Sequence, residues 1–98
     1  MTSTWPTQDG AITSIVKEDL DLVVRRAVLL GIDKEHWAKL FVDAKTILVD
    51  ARRFEMIQRV LAGVPPNKRH KCLFNQGFKS YISQGSEERA KDYLPKIV

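Results

Sequence analysis

Leu22-Val-Val-Arg-Arg-Ala-Val-Leu-Leu-Gly31-Ile-Asp-Lys-Glu-His-Trp37 is the stretch that decides the fold. An apolar-striped segment runs into Gly31, turns through Ile32 and Asp33, and restarts as a second amphipathic segment. Glycine stops a helix by taking the left-handed conformation cheaply. Asp33 is a good N-cap for the second segment, and Ile32 and Trp37 can staple that helix at its start. The pattern reads as helix, tight turn, helix, which any helical hairpin would also show.

Working back from Gly31, Val16, Leu20, Val23, Val24, Ala27 and Leu30 succeed one another at helical spacing. Leu22, Val28 and Leu29 widen the stripe, which predicts burial on more than one side. Thr13 or Ser14 can cap this helix, with Glu18 and Asp19 early in it and Arg25 and Arg26 late, as the helix dipole favours. Residues 1–12 then form a mobile arm whose only large aromatic is Trp5.

Working forward, Trp37, Leu40, Phe41, Ala44, Ile47, Leu48 and Ala51 make the next stripe, and its phase carries through Phe54, Ile57 and Leu61. One helix over residues 34–62 would be about 43 Å long at 1.5 Å per residue. A domain of this size should have a radius of gyration of about 13 Å. A break is therefore expected near the β-branched run Thr46-Ile47-Leu48-Val49, where Asp50 can cap a new helix. The alternatives are a short strand over Lys45–Val49 or an unbroken helix that pairs with a second subunit.

Gly63-Val64-Pro65-Pro66 is the strongest stop in the chain. Asn67 can cap a helix over Lys68–Ile82, striped by Phe74, Phe78, Tyr81 and Ile82 and weakened by Gly77. Ser83-Gln84-Gly85 ends it. Ser86 caps a last short helix, which Pro95 terminates. The fold class expected is all-α: a compact bundle of four to five helices over residues 13–98, with a helix-turn-helix-like hairpin and the arm ahead of it.

Composition bounds the function. Ninety-eight residues, 44% hydrophobic and 29% charged, make one globular domain with a modest core. A single cysteine, Cys72, excludes an intrachain disulfide and fits a reducing compartment. With no signal-like N-terminus and no apolar run long enough to span a bilayer, the expected location is cytoplasmic or nuclear, with no membrane partner. No CxxC, HxxxH or HExxH occurs, and no Gly-rich phosphate loop or GxSxG. Neither a metal site nor a cofactor is expected, and Cys72 reads as a packing residue.

Charge is unevenly placed. Residues 1–50 carry six Lys/Arg against eight acids, net −2, and residues 51–98 carry ten against four, net +6. No acid occurs between Glu55 and Glu87. Arg52, Arg53, Arg59, Lys68, Arg69, Lys71 and Lys79 fall on this basic side, with Phe74, Phe78 and Tyr81 interleaved. Such cations can neutralise phosphates, and exposed aromatics can stack on bases. The aromatics' helical spacing also suits a core.

Ala27, Gly31, Ile32, Trp37 and Leu40, with Leu30 before the glycine, resemble the general helix-turn-helix pattern. That resemblance implies a recognition face of Lys34, Glu35, Ala38 and Lys39, with His36 at its margin. Thr46–Lys68, ending Gly-Val-Pro-Pro-Asn-Lys, is similar to the corresponding turn of flagellar master-regulator subunits. The chain lacks that family's cysteine cluster, so membership is not implied.

The leading expectation is a small non-enzymatic nucleic-acid-binding or regulatory protein. It would contact phosphate through the seven cations named above, with DNA ahead of RNA, or take an acidic protein partner. The alternative is a helical adaptor or homodimer that binds another protein through an apolar helix face. Salt separates the two, because phosphate binding weakens steeply with it and an apolar interface does not.

Overall fold

The computed structural model describes the backbone of residues 4–95 and the side chains of residues 17–95. Among them are seven α-helices and no strand: α1 (Thr4–Leu29), α2 (Trp37–Asp43), α3 (Lys45–Val49), α4 (Ala51–Leu61), α5 (Arg69–Phe74), α6 (Gln76–Ser83) and α7 (Glu87–Ala90). Single 3-10 turns over Lys34–His36, Pro66–Lys68 and Lys91–Tyr93 join or extend them. The all-α class is as expected, but the helices after α1 are shorter, and those of the described residues are more numerous than four or five.

The first helix begins at Thr4, well before Thr13 or Ser14. Pro6 lies in its first turn, where a missing N–H breaks no intrahelical bond. Gly10 alone costs about 1 kcal/mol relative to Ala. Residues 1–3 of the expected arm lie outside the described residues, as does the side chain of Trp5.

Gly31, at φ 70°, ends α1 with two nested turns. Ile32 N–H donates to Ala27 O at 3.0 Å, and Gly31 N–H donates to Val28 O at 2.9 Å. This is the paired C-terminal bonding that a left-handed glycine permits. Ile32 then buries, and the Trp37 indole Nε1–H donates to Ile32 O at 2.9 Å. Asp33 stands at the next N-terminus without a side-chain cap bond. A 3-10 turn and a seven-residue helix come after it.

The region 34–62 breaks twice. Asp50 adopts extended backbone, and its carboxylate accepts the Arg53 N–H at 3.0 Å, capping α4 as expected. Ala44 adds a second break between α2 and α3, so Lys45–Val49 is helical and neither a strand nor part of a long rod. Gly63 does not take the left-handed conformation. Val64 N–H donates to Leu61 O instead, and the chain turns before the prolines. Lys68–Ile82 is likewise two helices. Asn75 leaves the helical region and caps α6 by accepting the Phe78 N–H at 3.0 Å. Asn67 lies inside the 3-10 turn and caps nothing.

One core unites these elements. Val23, Ala27 and Leu30 of α1 and its end bury with Leu40, Ile47, Leu48, Ile57, Leu61, Leu73, Phe78, Ile82 and Ala90. α1 packs on α2 and α3, α2 on α5, and α4 on α6 and α7. Arg26, placed near the helix end for the dipole, also ties α1 to α3 by donating to Leu48 O, with its guanidinium over the Phe54 ring. Lys45 and Asp19 add an ion pair at 3.3 Å across the same contact. No described helix is long and apolar enough to cross a membrane.

Candidate interaction surface

The seven cations of the basic half go to different places. Arg59 makes a two-nitrogen contact with Glu87 Oε1, at 3.1 Å from Nε and 3.0 Å from Nη2, tying α4 to the start of α7. Lys79 donates to Asp43 O at 3.2 Å, beside a polar hollow of about 230 Å³ between the end of α2, α3 and α6. Arg69 is turned inward: Nε donates to Val64 O at 2.9 Å and Nη1 to Leu30 O at 3.0 Å. It closes the joint between the end of α1 and the Pro65-Pro66 turn.

Arg53 is half-buried and its guanidinium reaches toward Gly85. Lys68 is half-buried in its turn, while Arg52 and Lys71 are exposed. Three of the seven therefore hold partners on three different neighbouring elements and do not converge. The interleaved aromatics are mostly inside: Phe78 is fully buried, and Phe74 and Tyr81 pack against the core.

The helix-turn-helix face is open, with Lys34, Glu35, Ala38 and Lys39 all exposed. Lys39 pairs with Asp43 at 3.4 Å and lies over the Phe74 ring. The face carries both charge signs on a 3-10 turn and a short helix, which leaves the hairpin without the long basic helix that major-groove readout uses.

Behind it, His36 and His70 stack with centroids 3.9 Å apart and planes within 8°, and Phe74 meets both rings edge-on. This pair pins the start of α2 to α5. Burial, then repulsion from His36 and Lys71, holds the His70 imidazole below its ordinary value, against weaker pulls upward from Asp33 and Glu35. A depressed folded value means that the unfolded chain binds the proton better. The stability His70 contributes is complete above the ordinary imidazole value of about 6.5 and is lost as pH falls through the lower folded value. The melting temperature should fall on acidification through that window, and His70→Gln should flatten the slope. A melting profile with the same slope in both proteins would refute this account.

Cys72 is buried, and burial pushes its thiol up to about 11. A thiol held there stays protonated and packs as a small apolar group. Among the described residues no three metal-ligating side chains gather.

A more apolar surface adjoins the helix-turn-helix face and shares Lys34 and Ala38 with it. Val28 and Leu29, expected to bury, are 57% and 66% exposed, Leu20 is 40% exposed, and Val42 is 78% exposed. Among its described side chains, α1 buries the face holding Val23 and Ala27, which Leu30 continues. Leu20, Val24 and Val28, four apart, form a second line turned away from it. Leu20 and Val24 meet Trp37 and Ala38 of α2 across an open groove of about 570 Å³, rimmed by Asp21, Arg25 and Lys34. Neither Asp21 nor Arg25 has an ion-pair partner among the described residues. The signal was present in the sequence as an apolar stripe too wide for one helix face.

No protein family, curated protein or solved structure matches this chain.

Proposed function

We propose that this chain is a protein-interaction module that receives an amphipathic helix on the face formed by α1 and α2. The observation that carries the reading is the open apolar groove between Leu20, Val24, Trp37 and Ala38, continued by exposed Val28. Scattered exposed apolar residues need no explanation, but a contiguous line of them rimmed by charge is the form of an interaction site. Trp37 supplies a large rigid wall whose indole N–H is already satisfied within the chain. An amphipathic helix is the occupant that fits, because its apolar residues at spacing three and four match a groove lined at spacing four.

A displayed library of randomised amphipathic helical peptides tests this. Selection against the immobilised protein at high salt should enrich peptides that Val24→Glu no longer binds. Enrichment that ignores Val24, or none at all, would sink the reading.

Phosphate binding is the second reading, and the net +6 of residues 51–98 is what favours it. Arg52, Lys68 and Lys71 are its most available cations. Arg59, Arg69 and Lys79 would have to leave intramolecular partners to join them. That cost ranks it behind the groove.

A further inference from the structure

We propose that the helix received on this face is α1 of a second copy of the chain, paired antiparallel about a two-fold axis at Val24; this rests on the interaction reading above. The face can complement itself. A two-fold interface must place each patch against itself, so the patch has to satisfy its own charges. With Val24 on the axis, Leu20 of one chain meets Val28 of the other, and symmetry repeats the contact. The apolar seam from Leu20 to Val28 runs about 12 Å along each helix.

One step around the helix, on the groove side, Asp21 of one chain is offset by only about 3 Å along the axis from Arg25 of the other, within reach of the long arginine side chain, and this pair also occurs twice. Both residues are exposed, and neither has an ion-pair partner within its own chain among the described residues. At the end of the seam, exposed Lys17 of one chain lies against the last turn of the other's α1. A cation is favourable there, beside the outward-facing carbonyls. A parallel arrangement offers none of this, since its two-fold axis would put Asp21 and Arg25 of the two chains on opposite sides of the seam, out of each other's reach. The groove beside the seam gives the second α1 a wall in Trp37 and Ala38.

Sedimentation equilibrium on the full chain, read as dimer dissociation constant, decides it. The native chain should dimerise. Asp21→Arg and Arg25→Asp should each weaken the dimer by roughly tenfold or more, because each turns two attractive contacts into repulsive ones. An equimolar mixture of the two variants should associate again, since one chain then offers two cations and the other two anions. Recovery on mixing is the decisive arm, because an attraction between Asp21 and Arg25 within one helix could not produce it. Circular dichroism melts of each variant check that the fold is retained.

A monomeric native chain, or a mixture no tighter than the single variants, overturns the proposal. If peptide binding nevertheless depends on Val24, the interaction reading stands and only the choice of a second copy fails. If neither self-association nor peptide binding occurs, both fail.

Discussion

Arg69→Met should lower the stability of the fold by roughly 2–3 kcal/mol, while Lys71→Met should change it by less than ~0.5 kcal/mol. The two cations stand two residues apart on α5, and composition cannot separate them. Arg69 donates to Val64 O and Leu30 O from two different nitrogens, so its guanidinium bridges the end of α1 and the Pro65-Pro66 turn. Charged donors to carbonyls are worth more than neutral ones. Methionine keeps most of the apolar stem but leaves both carbonyls without that donor. Lys71 is exposed, and its ammonium can be lost at little cost.

Urea unfolding with an unchanged m-value would report the difference, and the melting temperature should drop by roughly 10 °C or more. If Arg69→Met unfolded like the native chain, its guanidinium would be available for a ligand. The phosphate reading would then regain its central residue.

The stops at Gly31, Asp50 and Gly85 could be read from sequence because each has a residue type with one dominant use. Glycine reaches positive φ at no steric cost, and Gly31 and Gly85 do so at 70° and 78°. Asp50 satisfies a free N–H at a helix start. The breaks at Ala44 and Asn75 were hidden for opposite reasons. Ala44 has no side-chain feature that ends a helix, yet its backbone leaves the helical region at φ −127° and ψ 12°. Asn75 is a competent cap, but the stripe Phe74, Phe78, Ile82 keeps helical phase straight across it.

Gly77 reads as a weak point in a helix. In the fold, the Tyr93 ring lies where its Cβ would be, so the glycine makes room for the turn over Lys91–Tyr93. The stack of His36 on His70 joins residues far apart in sequence, and no local pattern announces it. The cations show the same limit. Seven basic residues in one half suggest one surface, yet partner carbonyls and carboxylates arrive only with tertiary structure. Arg59, Arg69 and Lys79 are each claimed by a different neighbour. The groove was half-legible, because the apolar excess of α1 was visible but not which of its lines faced the core.

Gly31→Ala should cost roughly 2–3 kcal/mol, with Gly63→Ala as a control expected to be neutral or slightly stabilising. Two costs combine at Gly31. A side chain at φ 70° is disfavoured by about 1–2 kcal/mol. The added Cβ would also sit 2.8 Å from Pro66 Cβ, so the proline ring must shift. Pro66 is held in a rigid turn whose neighbour Arg69 bonds Leu30 O, the carbonyl next to Gly31. The strain therefore enters the joint that Arg69 closes.

Gly63 meets nothing within 4 Å and has ordinary φ, so alanine there only restricts the unfolded chain. Because Gly31 and Arg69 act on one joint, the double variant Gly31→Ala with Arg69→Met should lose less than the sum of the single losses. Once alanine has displaced Pro66, the geometry that lets Arg69 reach both carbonyls is already compromised. Strict additivity in urea unfolding would mean that the two residues act independently, and that the Pro65-Pro66 turn is not what holds the hairpin in place.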